Sequence, residues 1–259
     1  MATIAPDTFR PGVRDDRAFF FVMATAMAAT NVVGFGTQWL LGRSSFGAPP
    51  IVHVHALVFV GWVAFFVYQS WLVAAGRVMR HRRLGWLGAG WAAVMIVVGM
   101  TMTVVVVRAG RVPFFFEPGY FLAMNALSVL GFAGLLWWAV RLRRRTEWHR
   151  RLVMCAMTAI MGPAFGRIVP APLVIPWASW LIFAFMLLFP LAGMIHDARR
   201  HGQVHPAWWY GTGVLVAMQV AMDIFALSPA AAPLYALVTA GSPGAAVAPF
   251  AYPPFPGVP

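Results

Sequence analysis

The chain has 259 residues, of which 61% are hydrophobic and 10% are charged, and its mean hydropathy is +0.76. This composition excludes a water-soluble domain, because most of the surface must contact an apolar solvent. The formal net charge of +12 would suit a nucleic-acid-binding protein, but the positions of the basic residues explain it differently.

Seven apolar stretches are each about as long as an α-helix must be to cross a bilayer. The sequence therefore predicts an all-α integral membrane protein with a bundle of about seven transmembrane helices. The predicted spans are 18–41, 50–76, 84–107, 118–140, 151–169, 173–196 and 206–228.

The spans divide the chain into three parts. Residues 1–17 form an N-terminal segment, and residues 18–228 form the transmembrane domain. Residues 229–259 are rich in Ala, Pro and Gly and carry no charge. We expect this tail to be irregular, with a short apolar piece near 233–240 that lies against the membrane.

The basic residues define an orientation. All 19 are arginine, and 15 of them fall in the segments that are cytoplasmic if the N-terminus is cytoplasmic. This bias satisfies the positive-inside rule, so we predict a cytoplasmic N-terminus, an external C-terminus and a location in the bacterial inner membrane. The positive charge is then explained by topology and anionic lipid headgroups, and the predicted partner is the lipid bilayer, without nucleic acid.

The sequence His-Arg-Arg-Leu occurs twice, at 81–84 and 149–152, near the starts of two spans that run in the same direction. His81 and His149, with His205 as a weaker third candidate, could surround a metal, the propionates of a haem or a quinone headgroup at the cytoplasmic edge. The alternative is that these residues only anchor helix starts at the membrane interface. His196 and His201 are expected in a solvated loop.

These helix starts resemble a widespread group of bacterial multi-pass membrane proteins of unknown function. In that group His-Arg-aromatic-Leu-Gly opens one helix, and His-Arg followed by Met opens another that ends near an arginine. Arg83 and Arg151 depart from the pattern, since an aromatic residue often stands there. The matching residues are His81, Arg82, Leu84, Gly85, His149, Arg150, Met154 and Arg167.

Paired histidines on neighbouring helices are also distantly similar to membrane b-type cytochromes. That similarity implies a bound b haem or quinone. Axial ligation of a haem needs two histidines from different helices at one depth. The candidate cofactor ligands are His53, His55, His81 and His149.

A second polar set is predicted at one depth in the outer half of the bundle. Ionisable groups inside a membrane are costly, and we expect Arg167 and Asp223 to form an ion pair that faces the interior. Pro163 should kink the helix that carries Arg167. The candidate ligand or proton pocket comprises Arg167, Asp223, Gln219 and Asn125, and the alternative is a closed hydrogen-bond network that fixes helix packing.

Three functions remain open. The first is a redox protein, or a subunit of a redox complex, that carries b haem or quinone. The second is a transporter or binding protein for a small amphipathic molecule, which would use the Asp/Arg/His pocket. The third is a non-catalytic subunit that packs against other membrane subunits. No His-Glu-x-x-His run is present, so metal-dependent hydrolysis is disfavoured and no metal ligands are assigned, and enzyme activity and catalytic residues stay open.

Overall fold

The structure is a computed structural model that describes residues 13–43 and 47–254. The regular secondary structure of these residues is helical throughout. The α-helices are α1 (Val13–Leu40), α2 (Pro50–Ala74), α3 (Val78–Arg108), α4 (Pro118–Arg141), α5 (Thr146–Ala159), α6 (Gly162–Ile168), α7 (Ala178–Met186), α8 (Leu188–His201), α9 (Pro206–Ala226) and α10 (Ala231–Thr239).

Six helical segments are long and apolar enough to cross a membrane. Large apolar side chains remain exposed on them, among them Leu57 (76% exposed) and Val97 (65%). Exposed apolar surface of this extent is stable against lipid, so the chain is a multi-pass membrane protein of the predicted all-α class. The six segments are Asp16–Leu40, Pro50–Ala74, Val78–Arg108, Pro118–Arg141, Ala178–His201, which comprises α7 and α8, and Pro206–Ala226.

The fifth predicted span, 151–169, is not one helix. Helix α5 ends at Ala159 and α6 begins at Gly162, because Pro163 lacks an amide hydrogen and its ring cannot follow a continuous helical backbone. The predicted kink is thus a complete break. The sequence predicts seven long helices, whereas the described residues form six long helical segments and one broken segment.

Helix α5 nevertheless forms the centre of the bundle. Most of its residues are buried, and it packs against α4, α8 and α9. Its side chains include the fully buried Arg151 and Cys155. A helix surrounded in this way is well placed to carry polar groups that must be kept away from lipid.

The bundle has an arginine-rich end, which we define by the start of α1 and the connections α2–α3, α4–α5 and α8–α9. Contacts between Asp16 and Arg150 and between His81 and His149 bring these segments together. We call the other end the opposite end.

The C-terminal tail is more ordered than the sequence predicts. Helix α10 packs against α3 and α4, and Arg108 donates to the carbonyls of Val238 (2.8 Å) and Ala240 (3.1 Å). The Gly119 amide donates to the Pro249 carbonyl at 2.8 Å. The tail therefore folds over the opposite end of the bundle. Residues 1–12 of the predicted N-terminal segment, like 44–46 and 255–259, lie outside the described residues.

Candidate functional site

The two histidines of the repeated motif face each other at the arginine-rich end. The ring centroids of His81 and His149 are 6.2 Å apart, and the ring planes are inclined by 67°. His149 Nδ1 lies 2.9 Å from the Ala139 carbonyl oxygen. A carbonyl only accepts, so Nδ1 donates the hydrogen bond and Nε2 is left with a lone pair for a ligand.

A residue with a buried side-chain amide contacts this pair through its backbone. Gln69 of α2 is 8% exposed, and neither of its amide atoms has a hydrogen-bond partner within the described chain. His81 lies against the backbone of Gln69, and its own Nδ1 also lacks a partner there. We call Gln69, His81 and His149 the histidine–glutamine site. Buried polar atoms without partners are rare in folded proteins, and one explanation for them is a ligand.

The second copy of the motif also supplies an ion-pair network. Arg151 binds Asp197 of α8 through Nε (2.8 Å) and Nη2 (2.7 Å). Arg151 also bonds to Glu147 at 2.6 Å, and Arg150 pairs with both Glu147 and Asp16. By contrast, Arg82 and Arg83 of the first copy are exposed. The two copies thus share a histidine role but not an arginine role.

His205 belongs to this network rather than to the histidine pair. Its backbone amide donates to Asp197 at 3.1 Å, and its Nδ1 accepts from the Ala207 amide at 3.1 Å. Burial, together with the nearby guanidinium of Arg151, lowers the pKa of His205 to about 4. His205 is therefore neutral at neutral pH and caps the start of α9.

Three further residues lie close together, although the sequence did not indicate them as a site. His196 Nε2 and His201 Nε2 each lie 3.2 Å from Asp16 Oδ1. The side chains of Asp16 and His201 are 0% and 2% exposed. The expectation of a solvated loop is wrong for these histidines, because α8 continues to His201 and holds them against α1. The only signal in the sequence was an aspartate just before an apolar run.

Groups of this kind can hold a metal ion, since one atom of each of the three side chains lies within 4.8 Å of the others. The sequence pointed to no metal site, because its histidines and acids match no local ligand motif. Asp16 is far from both histidines along the chain, and only the packing of α1 against α8 brings them together.

The predicted polar set at the opposite end separates into two parts. Within the described chain Arg167 and Asp223 form no ion pair, so that prediction is wrong. Arg167 donates to the Pro163 carbonyl at 2.7 Å and lies over the Phe35 ring, 4.3 Å from its centroid. The break before α6 turns Arg167 towards α1.

Asp223 lies instead beside Tyr120 and Trp180, and Gln219 donates to the Tyr120 hydroxyl at 2.9 Å. Asn125 bonds to the Phe121 carbonyl of its own helix at 2.9 Å. This arrangement resembles the closed network that the sequence left as an alternative.

The remaining candidate ligands, His53 and His55, point to different partners. His53 Nε2 lies 3.0 Å from the Ala48 carbonyl, and the His55 ring stacks on Phe59 at 4.3 Å. They do not form a facing pair in the way that His81 and His149 do.

Comparison of the chain with protein-family models, with curated proteins and with solved structures gave no match in any of the three.

Proposed function

We propose that this chain is a multi-pass protein of the bacterial cytoplasmic membrane that binds a quinone headgroup at the histidine–glutamine site. The arginine-rich end would face the cytoplasm, as the positive-inside rule requires. The observation that carries the proposal is the buried amide of Gln69, which has no partner within the described chain and belongs to a residue whose backbone contacts one of two facing histidines.

The chemistry of the site suits a quinone. A buried amide or imidazole without a hydrogen bond costs about 1–3 kcal/mol, and a ligand with polar oxygens removes that cost. The carbonyl oxygens of a quinone accept hydrogen bonds, which the Gln69 amide can donate, and the hydroxyls of a quinol donate them to the free imidazole nitrogens. His149 Nε2 is left as an acceptor by the bond of Nδ1 to Ala139.

A groove on the bundle surface suits the isoprenoid tail of a quinone. A lipid-facing groove of about 450 Å³ runs between α2 and α3 and is lined by apolar residues. It begins at Trp86, about 7.5 Å of helix beyond His81 at 1.5 Å per residue. The lining residues are Val58, Trp86, Leu87, Gly90, Trp91 and Val94.

A b haem is the second candidate, and the separation of the two rings favours it. Imidazoles bound on opposite sides of one metal ion have centroids about 6 Å apart, since each metal–nitrogen bond is about 2 Å. The observed 6.2 Å between His81 and His149 is close to this value. A haem, however, would leave the Gln69 amide without a partner, so the quinone accounts for more of the site.

The test is to purify the full chain in mild detergent, extract bound quinones for chromatography and record a reduced-minus-oxidised absorption spectrum. We expect quinone in about stoichiometric amount and no haem band. A haem band of stoichiometric size would show that the bound group is the b haem and not a quinone. A colourless preparation without quinone, which also fails to bind an added short-chain quinone, would refute both.

Two variants make the test specific. Gln69→Leu keeps the volume but removes the amide, so it should lose quinone while it raises thermal stability, because no polar group is then left without a partner. Gln38→Leu on α1 is the matched control and should retain the quinone. Loss of quinone from both variants would contradict the assignment to Gln69.

A further inference from the structure

We infer that Asp16, His196 and His201 bind a divalent first-row transition-metal ion at the arginine-rich end of the bundle. This site is separate from the histidine–glutamine site and does not depend on a quinone. It joins the start of α1 to the end of α8.

The donor set fits such an ion. Two imidazole nitrogens and one carboxylate oxygen are the ligands of many zinc and non-haem iron sites, where further positions stay open for water or substrate. In tetrahedral coordination with bonds of about 2.0 Å, ligand atoms lie about 3.3 Å apart. Both nitrogen–oxygen distances to Asp16 are 3.2 Å.

The same distances lie at the long end of the range for hydrogen bonds. Nitrogen–oxygen hydrogen bonds are most often about 2.9–3.0 Å long, and charge-assisted bonds are shorter still. Here both Nε2 atoms point at the same oxygen, Asp16 Oδ1. An ion placed between the two imidazoles and this oxygen is within reach of all three side chains, whose ligand atoms lie within 4.8 Å of one another.

The surroundings hold the ligands in place. The His196 ring stacks on Phe19 with centroids 3.8 Å apart and planes inclined by 7°. Arg150 bonds to Asp16 Oδ2 and so leaves Oδ1 to the histidines. Partners that orient metal ligands in this way are a regular part of metal sites.

The local charge also favours a cation. Asp16, Glu147 and Asp197 carry three negative charges, and Arg150 and Arg151 carry two positive charges in the same connected network. With neutral imidazoles this set has one negative charge in excess, which a divalent ion offsets. Arg199, which also lies on α8, is exposed and screened by solvent.

An ion can reach the site from solvent. The His196 side chain is 18% exposed, and it lines a surface groove of about 450 Å³ between α1 and α8. The other two ligands lie behind it, so the ion would be partly enclosed with one open side.

The experiment uses the full chain in detergent, with any affinity tag removed and with metal stripped by a chelator. Zn²⁺ is added, and the bound metal is measured by mass spectrometry of the elements after gel filtration. We expect one Zn²⁺ per chain. X-ray absorption at the zinc edge should then show scattering from two imidazoles, and Co²⁺ in its place should give visible ligand-field bands.

His196→Gln and His201→Gln test the ligands, because glutamine can still donate to Asp16 and preserve a structural link. Each should raise the Kd for Zn²⁺ by at least about 100-fold, since even the loss of groups that only orient ligands costs 10–100-fold. His53→Gln and His81→Gln are the matched controls and should bind zinc as the unmodified chain does.

Several results would overturn the inference. The first is that the unmodified chain binds no zinc. The second is that the zinc spectrum does not show two imidazoles. The third is that the control variants lose zinc and the ligand variants do not. Should a ligand variant not fold, the X-ray absorption and Co²⁺ spectra of His81→Gln decide the matter, because that variant lacks the other facing pair of histidines and should still show two imidazoles on the metal.

Discussion

Arg151 and Asp197 form a doubly hydrogen-bonded ion pair inside the bundle. Nε donates to Oδ2 at 2.8 Å, Nη2 donates to Oδ1 at 2.7 Å, and both side chains are 0% exposed. The pair connects α5 to α8 at the arginine-rich end. Because both charges are buried, each depends on the other for compensation.

Arg151→Gln should strongly destabilise the protein. The change leaves the Asp197 carboxylate buried without its cation, and losing one partner of a buried pair costs about 3–5 kcal/mol. The apparent melting temperature in detergent, followed by tryptophan fluorescence, should fall by several degrees or more. Arg199→Gln removes an exposed arginine from the same end and should leave the melting temperature almost unchanged. Equal effects of the two changes would contradict the role given to Arg151.

Gly193→Ala should separate α8 from α9. A Cβ atom at Gly193 would overlap the ring of Trp208, which is fully buried and cannot move aside. Overpacking of this kind typically costs about 1–3 kcal/mol. Gly213→Ala is the control, because a Cβ atom there meets nothing within 4 Å. Thermal unfolding of the two variants side by side measures the difference, and a stable Gly193→Ala protein would show that the contact is not tight.

The sequence predicts most helix starts well, and the reason is local. Pro50, Pro118 and Pro206 stand at the first positions of α2, α4 and α9, where the missing amide hydrogen does not matter. The predicted starts at 50, 118 and 206 therefore agree with the observed ones. Pro163 stands in the interior of a predicted span instead, and there it breaks the helix.

The candidate site was only partly predictable, because its partners are distant in sequence. The repeat of His-Arg-Arg-Leu was enough to bring His81 and His149 to one end. Nothing local indicates that Arg151 meets Asp197, or that Asp16 meets His201, since helix packing decides those contacts. The same limit explains why the predicted ion pair between Arg167 and Asp223 does not form, because two residues at one depth need not lie on facing sides of their helices.

The free energy of unfolding should decrease as the pH falls, because His205 binds a proton more readily in the unfolded chain than in the folded one. The folded pKa of His205 is about 4, below its ordinary value of 6.5, so the unfolded chain binds a proton that the folded chain rejects. The stability is complete above pH 6.5 and is lost as the pH falls from 6.5 towards 4, by up to about 3 kcal/mol. The charged groups around His205 are Arg150, Arg151, Glu147 and Asp197.

His205→Asn tests this titration. Asparagine is a good helix cap and can accept from the Ala207 amide as His205 does, but it does not titrate. The variant should lose less stability than the unmodified protein between pH 6.5 and 4.5, measured as the melting temperature at each pH. The surrounding acids and arginines are present in both proteins, so the difference isolates His205. Identical pH curves would show that His205 does not change its protonation on unfolding.

Arg108 should hold the C-terminal tail on the bundle. Its guanidinium donates to the carbonyls of Val238 and Ala240, next to the end of α10. Hydrogen bonds from charged donors contribute about 1.5–3 kcal/mol each when well shielded. Arg108→Gln should therefore increase amide hydrogen exchange in 231–246 by roughly tenfold or more, because 1.4 kcal/mol corresponds to a factor of about ten.

The control for the tail is Arg111→Gln, which changes a nearby exposed arginine at the same end of α3. Exchange in 231–246 should stay as it is in the unmodified protein. The Tyr235 hydroxyl donates to the Gly244 carbonyl at 3.1 Å, and this bond lies within the tail itself. It should therefore persist in the Arg108 variant, so that α10 loosens from α3 without unfolding. If all amides of the tail already exchange at one uniform rate in the unmodified protein, neither the bonds of Arg108 nor the bond of Tyr235 holds the tail in place.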